Sequence, residues 1–197
     1  MARLAVFASG RGSNFVAIAQ GLRAAGRHRL ELLLCDRKGA PAFQRAAEMH
    51  VPALYVSYQG RPRSEAEREI LGHLRRAGIQ VVALAGFMRL LTPDFLREFP
   101  GPVLNLHPSL LPRHPGTHGI EESFRSEDRE LGISIIRVDE GVDTGPILLQ
   151  KAFPRSPGET LAQVEERIHA LEHAWFPQVV LEMLDRVDPE PTREEVS

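Results

Sequence analysis

The chain has a single cysteine, Cys35, in 197 residues. That excludes a disulfide framework and a cysteine-based zinc cluster within one chain. Long apolar runs are missing too: the N-terminal run Leu4 to Ala8 is five residues, too short for a signal-peptide core or a membrane span. A cytoplasmic setting without a membrane partner is expected. An excess of charge is also absent. The formal net charge is -2, so no basic footprint for nucleic acid is evident. Lysine occurs only at 38 and 151, and asparagine only at 14 and 105. In a chain that avoids asparagine, the positions of those two matter.

What is present is ordinary soluble-protein material, 43% apolar and 25% charged, enough for one core. Buried strands are predicted at 3–9, 29–36, 53–57, 80–86 and 101–107, with two more in "GISIIRV" and "PILLQKAF". Between them, 3.6-residue periodicity predicts helices from Ser13, over 41–49, over 63–77 with a charged outer face, near 93–98 and from about 118. A long helix over about 159–184, with Pro177 inside it, closes the fold. This alternation predicts an α/β domain with an open, mostly parallel sheet flanked by helices. Residues 1–184 are read as a single domain and 185–197, acidic and proline-bearing, as a frayed tail.

Four motifs stand out. In "ASGRGSN" (8–14) a strand ends, glycines turn the chain and a helix begins. Free amides and the helix dipole there suit an anion such as phosphate, and the spacing fits a plain helix cap after a glycine turn equally well; the motif is neither G-x-G-x-x-G nor a Walker A loop. Ser13 suffices as the helix cap, which leaves Asn14 for a ligand. In "VLNLHPSLLPRHPGTHG" (103–119), Asn105 and His107 are two apart on a strand and point to one face. They emerge at a strand's carboxyl end, where open α/β sheets bind ligands. His107, His114 and His118 lack the spacing of a metal site, and Ser109 lacks a nucleophile elbow. A buried Asn–His pair that merely satisfies backbone groups stays open at this level. "VDEGVDTGP" (138–146) holds Asp143 between glycines in ordinary turn chemistry. Finally, Glu172 falls about 40° from Ile168 at roughly 100° per residue, at the margin of an apolar stripe. A carboxylate there needs a partner, an arginine or ligand hydroxyls.

Together "GRGSN", "LAGFMRLL", "NLHPSLLPRHPG", "VDEGVDTGPIL" and "EHAWFP" resemble the phosphoribosylglycinamide (GAR) formyltransferases, of the folate-dependent formyltransferases, over residues 3 to 184. The resemblance implies a Rossmann-like N-terminal half and a catalytic set of Asn105, His107 and Asp143. It implies that Gly12, Ser13 and Asn14 bind the GAR phosphate, that Glu172 binds its ribose hydroxyls, and that Met88 faces GAR. For the folate it implies a pocket of Phe87, Arg89, Leu90 and Leu91 with Asn105, Asp139, Glu140 and Asp143, and Arg63 near the glutamate end. Many relatives carry His-Phe where this chain has Ile136-Arg137, so any supporting role of that histidine is absent.

The activity implied is transfer of a formyl group from 10-formyltetrahydrofolate, a cosubstrate, to the GAR amine in de novo purine synthesis. A neutral amine needs no covalent enzyme intermediate and no metal; it needs alignment and oxyanion donors. Asn105 and His107 suit that task, and Asp143 suits a charge partner for His107 that orients a relay water. Alternatives are a formyltetrahydrofolate hydrolase, a formyltransferase with another acceptor, or a nucleotide-binding module. The partners expected are small molecules, with the chain a monomer or homodimer.

Overall fold

The computed structural model of the chain describes residues 1–126 and 128–188. Seven strands form one sheet in the order β3-β2-β1-β4-β5-β6-β7. β1 (Arg3–Ala8), β2 (Arg29–Cys35), β3 (Ala53–Tyr55), β4 (Val81–Leu84) and β5 (Val103–His107) run parallel. β6 (Glu130–Arg137) and β7 (Ile147–Pro154) add antiparallel to β5 and to each other. The sheet is thus mostly parallel, as expected. The nine residues between β6 and β7 are too few for a crossover and long enough for a hairpin loop.

Two cores flank the sheet. One packs α1 (Ser13–Ala25), α2 (Pro41–Glu48) and α6 (Leu161–Val187) through Phe15, Ile18, Ala46, Ile168 and Phe176 against Leu4, Val6, Leu104 and Leu106. The other packs α3 (Arg63–Ala77) and α4 (Pro93–Glu98) through Ile70, Leu74, Phe95 and neighbours against Ala5, Phe7 and Val82. β1 and β4 therefore bury both faces, which explains their unbroken apolar runs. Close approach of α1 to α6 depends on Gly21: a Cβ there would stand 2.9 Å from Cβ of Pro177. Chain order reverses between β1 and β4, so the loops after these two strands flank a topological switch point.

The end of the last helix and the outer face of α3 both differ from expectation. α6 runs through 187, and Asp185 within it pairs with Arg27 at 2.8 Å and with the buried imidazole of His28 at 2.8 Å. Asp188 pairs with the N-terminal amine. These ion pairs hold 185–188 on the fold, so the expected tail does not begin at 185; residues 189–197 lie outside the described residues. The outer face of α3 is also less uniform than its charge pattern implies, because Glu67 is buried with Ala66, Ile70 and Leu71.

Candidate active site

At the end of β5, Leu104 and Leu106 enter the α1/α6 core, which turns Asn105 and His107 to the opposite face. Both meet Asp143 from the β6–β7 loop. Asn105 Nδ2 donates to Asp143 Oδ1 at 3.2 Å, and His107 Nδ1 lies 3.3 Å from Oδ2. The backbone N–H of Gly116 also donates to Oδ2, at 2.8 Å. Asp143 reaches this position from a left-handed backbone, φ 54, which Asp tolerates better than most residues. Gly145 allows the hairpin to close, since a Cβ there would lie 1.8 Å from the carbonyl oxygen of Arg137.

The ring proton of His107 can be assigned by chemistry. Nε2 is 2.8 Å from the carbonyl oxygen of His114, which can only accept. Nε2 therefore carries hydrogen, while Nδ1 faces a second acceptor, the Asp143 carboxylate. Asn105 is likewise oriented by an acceptor-only carboxylate, so one amide hydrogen is committed and the second is free.

These three residues line a cavity of about 570 Å3, the size of a site for a drug-sized molecule. Its walls include every residue named above for the folate pocket: Arg63, Phe87, Arg89, Leu90, Leu91, Asp139 and Glu140. Met88 lines it too and is about half exposed. Several of these side chains are already engaged. Asp139 Oδ1 accepts from Gly141 N and Thr144 Oγ1, stapling the Asp143 loop, and Glu140 pairs with Arg97 at 3.2 Å. Arg89 is gripped through Nε by Asp36, 2.7 Å away with its side chain fully buried, and lies over the Tyr58 ring. Burial pushes the Tyr58 phenol above its ordinary value. Glu67 accepts from both the N–H and the hydroxyl of Thr92, anchoring the far end of the 87–92 wall. Burial is the main cause raising its carboxyl above the usual range. Asp36, Tyr58 and Glu67 went unremarked in the sequence because a buried polar residue has no periodic signature.

Ile136 also lines the cavity, paired in register with Asn105. Arg137 is exposed and does not line it. An apolar wall, rather than a cation, thus stands at this point of the cavity.

Gly12, Ser13, Asn14 and Glu172 do not line this cavity. They form a second cluster at the start of α1. Gly12, not Ser13, is the N-cap: its left-handed φ of 72 turns the chain, and no side chain caps the helix. The expectation that Ser13 caps is therefore corrected. The turn brings Gly12 against α2, where a Cβ would stand 3.0 Å from Cβ of Ala42. Asn14 Nδ2 donates to Glu172 Oε2 at 2.9 Å, and His169 Nδ1 lies 2.9 Å from the same oxygen. Glu172 is not at the margin of its stripe but within it, in the buried row Val164, Ile168, Glu172, Phe176. The partner is an amide and an imidazole, not an arginine. His169 in turn is raised above the ordinary imidazole value, chiefly by its bond to Glu172. Asn14 Oδ1 is buried and has no hydrogen-bond partner among the described residues.

The two clusters are joined at the switch point. Ser9 N donates to the Gly86 carbonyl at 3.0 Å, and Met88 N donates to Ser9 Oγ at 2.8 Å. His114 is tied to His107 by its carbonyl, whereas His118 only precedes α5 (Gly119–Arg125) and caps nothing with its side chain. Among the described residues no three His, Cys, Asp or Glu side chains are grouped to hold a metal, and no helix is long and apolar enough to cross a membrane.

A family model described as formyl transferase matches residues 2–180. The sequence is 40% identical to the phosphoribosylglycinamide formyltransferase of Bacillus subtilis (strain 168), over 93% of this chain and 95% of that protein. It is 37% identical to the trifunctional purine biosynthetic protein adenosine-3 of Drosophila pseudoobscura pseudoobscura, over 90% of this chain but only 13% of that longer protein. Among solved structures, glycinamide ribonucleotide transformylase 1 from Geobacillus kaustophilus superposes with a TM-score of 0.89 at 45% identity, covering 93% of this chain and 99% of that one. The phosphoribosylglycinamide formyltransferase of Streptococcus pneumoniae TIGR4 gives 0.86 at 34% identity, covering 92% and 98%. The chain belongs to the formyl transferase family, in its phosphoribosylglycinamide formyltransferase branch.

Proposed function

We propose that the chain transfers the formyl group of 10-formyltetrahydrofolate directly to the amine of GAR, yielding formyl-GAR and tetrahydrofolate for purine synthesis. The observation that carries this reading is the convergence of Asn105 and His107 on Asp143 at the wall of a folate-sized cavity. It is supported by the glycine loop beside it, with its helix N-terminus and the Glu172 carboxylate.

In the reaction the amine nitrogen bonds to the formyl carbon, whose oxygen takes the displaced electron pair. The free amide hydrogen of Asn105 is positioned to stabilise that oxyanion without reorganising. The tetrahedral intermediate then breaks its bond to N10 of the folate. The proton lost by the amine reaches N10, directly or through water, with Nδ1 of His107 as the relay and Asp143 balancing its charge. Gly12, Ser13 and Asn14 hold the GAR phosphate at the α1 N-terminus. Glu172 accepts from the ribose hydroxyls, Met88 packs against GAR, and Arg63 and Arg89 face the glutamate end of the folate.

The test is to mix GAR with 10-formyltetrahydrofolate and follow tetrahydrofolate and formyl-GAR together. Stoichiometric appearance of both is expected. Folate deformylation at the same rate without GAR would instead assign water as the acceptor.

A further inference from the structure

Beyond the three residues at the strand end, a second carboxylate reaches His107 through the backbone. The carbonyl of His114 takes the Nε2 hydrogen of His107 at 2.8 Å and lies 3.1 Å from the hydroxyl of Ser109. That carbonyl belongs to a residue in the left-handed region, φ 54, which a non-glycine residue keeps only where its surroundings hold it. The hold is visible. His114 Nε2 is 2.8 Å from Asp128 Oδ2, and Arg113 Nη1 is 2.7 Å from Asp128 Oδ1. One carboxylate thus grips two consecutive side chains and fixes the peptide plane that carries the acceptor. The hydrogen bond from His114 is the main cause holding the Asp128 carboxyl below its ordinary value. Gly119 seals the other side: a Cβ there would be 3.1 Å from His107 Nε2. Water therefore has little room to replace the carbonyl.

We infer that Asp128 and His114 are positioning residues for His107: their clamp sets the carbonyl that holds the Nε2–H and so aims Nδ1 at Asp143 and the reacting groups. Neither touches the three-residue set directly through its side chain, and neither was singled out for this in the sequence. A histidine ring is oriented by the bonds both its nitrogens make. With the carbonyl lost, the Asp143 carboxylate beside Nδ1 is the acceptor that remains, and it draws the hydrogen of a neutral ring to that nitrogen. The rate consequence rests on the formyl-transfer reading above; the tautomer consequence does not.

The experiment compares the full chain with Asp128→Asn, Asp128→Ala, His114→Asn and the double variant Asp128→Ala/His114→Asn. Asparagine tolerates the left-handed backbone at 114 but is too short to reach Asp128. Two readouts are taken: nitrogen NMR of the His107 ring, and kcat with KM for both substrates. In the parent, an Nε2–H held by the His114 carbonyl is expected in the His107 spectrum. In Asp128→Ala and in His114→Asn that Nε2–H signal is expected to weaken as hydrogen shifts toward Nδ1, with kcat down about tenfold, the scale of one lost oriented hydrogen bond. KM is expected to stay within about twofold, and the double variant to be no worse than either single one. A lowered melting temperature with the His107 spectrum and kcat unchanged would overturn the inference, and so would additive losses in the double variant. Should Asp128→Ala fail to fold, Asp128→Asn, which keeps the shape but offers only one acceptor oxygen, carries the same comparison. If the parent itself transfers no formyl group to GAR, the proposed function falls, while the NMR arm still decides the clamp.

Discussion

At the end of β5 Asn105 and His107 are both held by Asp143, which Gly116 holds in turn, whereas at the start of α1 pairing is incomplete. There Asn14 Oδ1 is buried without a partner among the described residues, and both hydrogen bonds to Glu172 seen there fall on one oxygen, Oε2. The first cluster is held rigid before any ligand arrives; the second keeps acceptors in reserve. That division suits a two-substrate site. Donors meant for charge that develops during reaction work best when they need no rearrangement. Groups meant to hold a ground-state ligand must instead leave hydrogen-bonding capacity open for it.

The comparison can be broken by substitution. The largest effect is expected at the rigid end: Asn105→Ala should lower kcat by about 10²–10³ with little change in either KM. Steady-state formyl transfer measures it, and a variant losing only KM would dissolve the distinction between the clusters. At the open end, Glu172→Ala should raise KM for GAR by about 10–100-fold, the worth of a hydrogen bond to a charged group. If kcat fell instead at saturating GAR, Glu172 would belong with the rigid set. Gly12→Ala should destabilise the fold by about 1–3 kcal/mol, because φ 72 and the 3.0 Å approach to Ala42 both penalise a Cβ. Thermal unfolding reads this directly, and an unchanged melting temperature would mean the turn relaxes easily.

The smallest effect is the pH dependence of His169. Its pKa is raised in the fold, mainly by the bond to Glu172, so the protonated ring is stabilised relative to the unfolded chain. That stabilisation is fully present below the unfolded value near 6.5 and disappears as pH rises through the higher folded value. Because His169 is 47% exposed, solvent screening keeps it below about 1 kcal/mol. His169→Ala should therefore lower the melting temperature in mild acid and leave it unchanged in mild alkali. An equal loss at both ends would assign the contribution to packing.

Much of this was legible in the residue order. Alternating periodicities gave the α/β sheet, and the two-residue spacing of Asn105 and His107 put both on one face. Asp143 between glycines was visible as a turn, but its meeting with β5 required the antiparallel hairpin. Other features were hidden for physical reasons. Glu172 lies inside the buried row because α6 presents Val164, Ile168 and Phe176 to the core, a face that flanking Leu171 and Trp175 obscure in the pattern. Gly12 displaced Ser13 as the cap because a left-handed turn brought the loop onto α2. The roles of His114 and Asp128 run through a backbone carbonyl, and side-chain spacing carries no record of that.

The paired hydrogen bonds of Ser9 to Gly86 and Met88 have one more consequence. They sew the loop after β1 to the loop after β4, so the span between the two clusters is set by the sheet. If the clusters take the anion and the formyl group as proposed, such a site works as a ruler. An acceptor whose amine and anionic group are separated by one extra methylene would satisfy the anchor or reach the formyl carbon, but not both. Selectivity for the acceptor would then reside in a length, held in part by Ser9.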